Sequence, residues 1–371
     1  MSKWTRWVIR LCFVAYGVTF ASWASRIPQI KSLLHLTDAQ LGRLLFALPV
    51  GQLISLQVSA RIAVHFGSHR VLPVALCAYA LMLPWLGLAR QPWQLALGLL
   101  CFGLCANIGS TSLQTQAVLT EKEAGRPLMA SYHGSWSLAG FLGGALGLLM
   151  TTFDISPAAH FMLVAALVVT LVPWAKPLLI RSQRPPISVR PRFAPGLLIL
   201  GMMGFCTMGM EGCMFDWSGV YFREVVHAPR HLSALGYTIF MVTTASGRFF
   251  GDRVILRFGR VRVLQVGGLL ASAGFVTSVL FPNLIPATLS FMLIAIGVCN
   301  IMPSVYSLAG QSRPEDPSNA LASVAQISFL GFLLGPPLIG EISSRFGLPA
   351  AFLVIACLGL LVPGLARRVK L

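Results

Sequence analysis

Arg61-x3-His65-Phe66-Gly67-x2-Arg70-Val71-Leu72 recurs 192 residues later as Arg253-x3-Arg257-Phe258-Gly259-x2-Arg262-Val263-Leu264. Each copy lies between two long apolar runs and sets basic residues on both sides of a Phe-Gly turn signal. The same offset relates Pro157-Ala158-Ala159 to Pro349-Ala350-Ala351. An offset of 194 relates Trp23 to Trp217 and Leu41-Gly42 to Leu235-Gly236. Matches at four places in one order indicate that the second half of the chain repeats the first in parallel.

The runs around these matches set the solvent. Of 371 residues, 56% are apolar and 11% are charged, where a water-soluble domain has about 25% charged residues. So little polar surface cannot cover the chain in water. A bilayer core of ~30 Å takes roughly 20 apolar residues per helical pass. Apolar stretches over residues 11–27, 42–60, 71–88, 94–118, 132–152, 158–174, 196–219, 233–251, 263–281, 287–309, 321–340 and 349–365 predict twelve passes. The expected fold is an all-α membrane protein with twelve transmembrane helices in two parallel six-helix repeats. Residues 1–175 form the first bundle and 196–371 the second. Residues 176–195, with five prolines and five basic residues, form a cytoplasmic linker.

The net charge of +17 has two readings, a nucleic-acid surface or the basic bias of cytoplasmic loops. Position decides between them. Both termini and the even-numbered loops hold twenty of the 28 Lys and Arg residues; the odd-numbered loops hold Arg26, Lys31, Arg90, Arg223, Arg230 and Arg345. This asymmetry puts both termini in the cytoplasm and makes nucleic acid an unneeded partner. Lys3, Arg6 and Arg10 before the run 11–24 resemble a signal peptide, but the many later runs favour an uncleaved first helix. The eight cysteines lie in apolar runs without Cys-x-x-Cys spacing or a nearby histidine, so no metal or cofactor is expected. No Gly-x4-Gly-Lys-[Ser/Thr] loop appears, which argues against direct use of ATP. No nucleophile–base pair lies in the runs, which argues against an enzyme.

Of the eleven acids, only Glu211 stands within an apolar run. An ionised carboxylate there costs about 2.5–3.5 kcal/mol on insertion scales. It is therefore either a group that takes up and releases a proton or one half of a structural ion pair. Asp216, five residues on, and Arg26 on the first helix are charges at the outer helix ends, either a gate pair or solvated loop groups. Asn107, Thr111 and Gln114 share one helix face; Asn300, Ser304, Ser307 and Gln311 form the same stripe in the second half. Both stripes avoid lipid, and either line a cavity or bond neighbouring helices. His133, at the start of the fifth helix, is either a titrating group or a helix-start histidine. Gln326, Trp23 and Tyr16 complete the candidate cavity contacts. Gly140 with Gly144, Gly143 with Gly147, and Gly331 with Gly335 have the spacing of close helix packing.

Gly247-Arg248-x2-Gly251-Asp252-Arg253-x5-Gly259-Arg260 resembles the cytoplasmic loop motif of the major facilitator superfamily in its second copy, between helices 8 and 9. The first copy is degraded, with Ser59-Ala60-Arg61 where Gly251-Asp252-Arg253 stands later. Trp23-Ala24-Ser25-Arg26-Ile27-Pro28, His133-Gly134-x2-Ser137, Glu211-Gly212-x3-Asp216-Trp217 and Gly335-Pro336-Pro337-Leu338-Ile339-Gly340 resemble the YbjJ-like branch, related to fucose-permease-type carriers. The resemblance covers nearly the whole chain. It implies a multi-pass carrier in the inner, cytoplasmic membrane that acts as a monomer. Such a carrier moves a small polar solute, sugar-like or another metabolite, by alternating access in symport with protons. Helices 1, 4, 7 and 10 would line the path. Gly251, Asp252, Arg253 and Arg257 would belong to a cytoplasmic gate, with Arg26 and Asp216 at the outer one. One departure stands out: Gln114 and Gln116 replace an Asn-x-Glu that members of this branch can carry. An efflux carrier for amphipathic compounds, served by Met202, Met203, Met208, Met210 and Met214, and a non-transporting sensor or scaffold are the alternatives.

Overall fold

The computed structural model describes residues 3–124, 128–181, 195–312 and 317–369. Most of the expected linker lies outside the described residues, as does the side chain of Asp252. Fourteen α-helices follow in order among the described residues: α1 (Lys3–Leu33), α2 (Asp38–Leu45), α3 (Ala47–Phe66), α4 (Ser68–Leu88), α5 (Pro92–Ala124), α6 (Met129–Thr152) and α7 (Pro157–Leu171) in the first half, then α8 (Pro195–Glu224), α9 (Leu235–Phe258), α10 (Arg260–Leu280), α11 (Leu284–Val298), α12 (Ile301–Ser312), α13 (Pro317–Phe346) and α14 (Leu348–Arg367). Helices dominate because hydrocarbon offers no partner for backbone N–H and C=O groups, so each segment must satisfy its own. Proline opens α5, α7, α8 and α13, where its missing N–H is not needed.

Two expected helices are broken. The second pass is α2 plus α3, interrupted at Phe46, and the tenth is α11 plus α12, interrupted at Cys299 and Asn300. The second break has a local cause. Pro303 lacks the N–H that a continuous helix would donate to the Cys299 carbonyl. Counted as passes, the helices give the expected twelve. Eleven described segments are long and apolar enough to cross a membrane. The remaining pass is α9, whose 24 residues include Arg248, Asp252, Arg253 and Arg257.

The repeat seen in the sequence is a repeat of turns and of packing. Gly67 between α3 and α4 and Gly259 between α9 and α10 have φ of 82° and 80°, a left-handed backbone that a side chain would strain. Asp252 and Arg253 therefore do not start a loop. They continue α9, because charge alone does not break a helix, and the turn waits for Gly259.

The chain divides into two compact units: Met1–Leu36, Leu44–Ile187 and Arg230–Ala234, and Thr37–Arg43, Ser188–Pro229 and Leu235–Leu371. In the first, α1 packs on α6, α3 on α5, and α4 on α5 and α7. In the second, α8 packs on α13, α9 on α11, and α10 on α11 and α14. Small residues set the closest approaches. A Cβ at Gly331 of α13 would overlap the Phe205 carbonyl oxygen of α8, while at Gly335, one turn on, it would meet nothing within 4 Å. The spacing alone does not distinguish these two glycines. Gly331→Ala should lower unfolding stability in detergent by about 1–3 kcal/mol, the usual cost of forcing packed backbones apart. Gly335→Ala should leave it within about 0.5 kcal/mol. Equal effects in a thermal melt would contradict this packing.

Candidate functional site

Glu211 lies near the middle of α8, which buries most of its length, and its side chain is 5% exposed. Arg248 of α9 reaches it, with Nη2 donating to Glu211 Oε1 at 3.2 Å; the arginine side chain is 27% exposed. The guanidinium is held from a second side, where Nε donates to the Cys299 carbonyl at 3.4 Å. That carbonyl is the one Pro303 leaves without a helical donor. The proline break in the tenth pass and the arginine of the eighth thus satisfy one another.

The approach of α9 to this break is close. A Cβ at Gly247 would come 2.6 Å from Cys299 Sγ, and one at Gly251 would overlap Asn300 Oδ1. Gly251 is needed here for helix contact, not for a turn. Asn300 is half-buried at the break, and Tyr306 of α12 lies within electrostatic reach of Glu211. The acid, the arginine and the head of the second polar stripe meet within one unit. The sequence marks out Glu211 but does not point to Arg248 as its partner. The available signal was a cation inside an apolar run with no charged mate in the first repeat, where Ile54, Ser55 and Leu56 stand.

The first unit holds a different cluster. Arg26 is fully buried. Its Nε donates to His160 Nδ1 at 3.2 Å, Nη1 to Gln29 Oε1 at 2.6 Å and Thr151 Oγ1 at 2.7 Å, and Nη2 to the Ile155 carbonyl. Four of its five N–H donors go to neutral acceptors inside its own unit, and accepting at Nδ1 fixes His160 as the neutral Nε2–H tautomer. Asp216, the expected gate partner, is 6% exposed on α8.

The first polar stripe divides. Asn107 Nδ2 donates to Ser55 Oγ at 3.0 Å and Thr111 Oγ1 to Ser59 Oγ at 3.3 Å, so both tie α5 to α3. Gln114 is exposed and donates to Ser110. In the second stripe Ser304 is buried, its hydroxyl without a hydrogen-bond partner among the described residues, and Ser307 accepts from Gln311 at 3.2 Å. Tyr16 stacks on Tyr79 with centroids 5.2 Å apart. Trp23 is fully buried, with an indole N–H that finds no partner among the described residues. His133 and Gln326 are exposed. Arg253 and Arg257 are exposed on the last turns of α9, over the rings of Phe250 and Phe258.

Gln116 shows why an amide suits its position. Its Nε2 donates to Ser68 Oγ and to the Ile180 carbonyl, each at 2.8 Å, and its Oε1 accepts from Ile180 N–H at 2.9 Å. A carboxylate has no donor for that carbonyl. The residue fastens the chain at Ile180 to α5 and to the start of α4.

Helices repeated in two matched sets, with a charged pair buried inside a pass, define a polytopic membrane carrier. A family model described as Major Facilitator Superfamily matches residues 9–328 and 199–369, and the chain belongs to that superfamily. It is 31% identical over 364 residues to an uncharacterized MFS-type transporter of Yersinia pestis, covering 97% of this chain and 94% of the relative. It is 28% identical to the membrane protein MosC of Rhizobium meliloti, covering 97% and 89%. Among solved structures, a bacterial homolog of the human lysosomal transporter Spinster shares the fold with a TM-score of 0.80 at 14% identity, covering 100% of this chain and 98% of that one. A mutant of the nucleoside transporter NupG shares it at 0.79 and 13%, covering 98% and 100%, and a D-xylose-proton symporter at 0.77 and 14%, covering 98% of each. The family consists of transporters, not enzymes.

The ion pair makes a measurable demand. Removing one partner of a buried pair typically costs about 3–5 kcal/mol, because the other charge is stranded. Arg248→Met should therefore destabilise the protein on that scale, and Glu211→Gln added to it should recover much of the loss. Additive losses in a thermal double-mutant cycle would show that the two residues are not coupled.

Proposed function

We propose that this protein is a secondary active transporter that carries a small polar solute across the cytoplasmic membrane by alternating access, in symport with protons, with Glu211 as the coupling group. The observation that carries the proposal is the Glu211–Arg248 pair, a charge placed where charge is costly and partnered by one arginine. A proton added to Glu211 removes half of the pair and changes what Arg248 must bind. That is the differential interaction a coupled carrier needs, since a ligand shifts a conformational equilibrium only by binding its states unequally.

Other features support the same reading. The basic residues cluster in the even-numbered loops and termini, which favours both termini on the cytoplasmic side. The fold is shared with proteins named for nucleoside transport and for D-xylose–proton symport. The resemblance to the fucose-permease-related branch points to polar solutes as well. The efflux alternative leaned on the methionines of α8, but Met203, Met210 and Met214 are fully buried in the packed unit. The cytoplasmic gate is assigned to Gly251, Asp252, Arg253 and Arg257 at the end of α9, and the chain is taken to act as a monomer.

A thermal-stability screen of polar metabolites identifies the solute to load into vesicles. Wild type should accumulate it under an inward proton gradient. Glu211→Gln should equilibrate it without accumulation, while still exchanging labelled for unlabelled solute. Full gradient-driven accumulation by Glu211→Gln would remove Glu211 from the coupling role.

A further inference from the structure

We infer that Arg70, Lys176 and Arg181 form a binding site for the phosphate headgroup of an anionic phospholipid. The site lies within the first unit. It goes beyond the transport reading and does not depend on it.

The first observation is what holds the three residues together. Arg70 stands in the first turn of α4, just past the left-handed Gly67. Lys176 stands on a short 3-10 helix, Val172–Leu178, that continues α7 and packs on α4. Arg181 follows a few residues after that helix. Gln116 of α5 fixes this last segment: its Nε2 donates to Ser68 Oγ and to the Ile180 carbonyl, and its Oε1 accepts from the Ile180 N–H. One amide thus joins Ser68, in the same turn as Arg70, to Ile180, the neighbour of Arg181. The charges that reach His69 are those of Arg70, Arg181 and Lys176, all of them positive.

Two parts of the chain far apart in sequence therefore deliver three cations to one place, although like charges repel. All three side chains are exposed, and none has a hydrogen bond or ion pair among the described residues. The acids of α5, Glu121 and Glu123, lie beyond Gln116 toward the helix end, and Glu121 accepts from the Leu128 N–H at 2.8 Å. The basic bias of a membrane side asks only that cations lie somewhere in its loops. It does not ask that they converge, or that a buried amide fix the segment that carries one of them. Convergence without a counter-charge suits a ligand with several anionic oxygens, which a phosphate has.

Depth selects a lipid over a dissolved anion. Trp174, on the same short helix as Lys176, is 81% exposed, and Leu171 and Leu178 on either side of it are exposed as well. Phe66, at the end of α3, is exposed beside the turn at Gly67. Large apolar side chains turned outward from a membrane pass meet lipid, and tryptophan concentrates at the level of the headgroups. Lys176, two residues from Trp174, brings its charge to that level, as long basic side chains at helix ends do. A lipid phosphate is tethered there by its own chains. The turn after the second pass and the segment after the sixth lie on one side of the membrane, so a single leaflet supplies the lipid.

The test is native mass spectrometry of the purified full-length protein in a neutral detergent, titrated with phosphatidylglycerol or with phosphatidylcholine of the same acyl chains. Phosphatidylglycerol should bind, and phosphatidylcholine should bind about tenfold more weakly or less. A basic residue near a lipid surface is worth about fivefold in affinity, so Arg70→Gln, Lys176→Gln and Arg181→Gln together should weaken phosphatidylglycerol by about a hundredfold. Because all three are exposed, this variant should melt as wild type does, which separates lost binding from lost fold. Removing the same charge elsewhere on that side, with Arg262→Gln, Arg367→Gln and Arg368→Gln, should change binding far less. Gln116→Leu alters no charge but frees Ile180, and should cost roughly the fivefold of one cation. Glycerol phosphate, the headgroup without its chains, should not displace the lipid at equal concentration. Equal binding of the two lipids, equal losses in the two triple variants, or wild-type binding by Gln116→Leu overturns the inference. Displacement by glycerol phosphate also overturns it, and makes the cluster a site for a dissolved anion.

Discussion

Hydrocarbon supplies no hydrogen bonds and no counter-charge, and the rest of the structure follows from that. Every backbone group must be satisfied within its own helix, and every polar side chain inside a pass must find a partner in the protein. Where a helix breaks, the freed group has to be met by something else. Pro303 frees the Cys299 carbonyl, and Arg248 meets it. Where a charge is buried, it has to be paired or surrounded. Glu211 is paired with Arg248, and Arg26 is surrounded by four neutral acceptors.

The two units meet this constraint with one frame and two chemistries. Helix pairings in the first are repeated in the second, down to the left-handed glycines at the turns α3–α4 and α9–α10. Where Asn107 and Thr111 bond Ser55 and Ser59 in the first unit, Asn300 packs on Gly251 in the second. Loss of side chain at Gly251 lets α9 come close to the helix break, which brings Arg248 to the carbonyl and to Glu211. The first unit has serines at the corresponding face. The duplicated frame thus keeps its packing, and Gln116, with its three hydrogen bonds, serves as a fastener in the first unit.

The passes were legible in the sequence because an apolar run of about twenty residues has few other uses. The repeat was legible because its turn glycines and basic residues are fixed by geometry and by membrane side. Glu211 was legible as an acid in such a run. Its partner was not, because Arg248 sits close to the charged end of α9 and distance along a chain says nothing of distance across helices. The break at Cys299 and Asn300 was hidden for a related reason: Pro303 marks it, but membrane helices tolerate proline, so the residue alone does not say whether the helix yields. Asp252 and Arg253 looked like a loop because polarity was read as an end of structure, whereas the chain stays helical to Phe258 and turns at Gly259. Asn107 and Thr111 shared a face as expected, yet only the neighbouring helix reveals that Ser55 and Ser59 claim them.

The proposed coupling requires a proton to move on and off Glu211 against Arg248. Infrared difference spectra of the purified protein, recorded on acidification, test that directly. A protonated-carboxyl C=O stretch should appear in wild type, be missing in Glu211→Gln, and titrate at higher pH in Arg248→Met, where the carboxylate has lost its counter-charge. A spectrum that is the same in wild type and Glu211→Gln would mean that Glu211 does not titrate, and the pair would then be a structural tie alone.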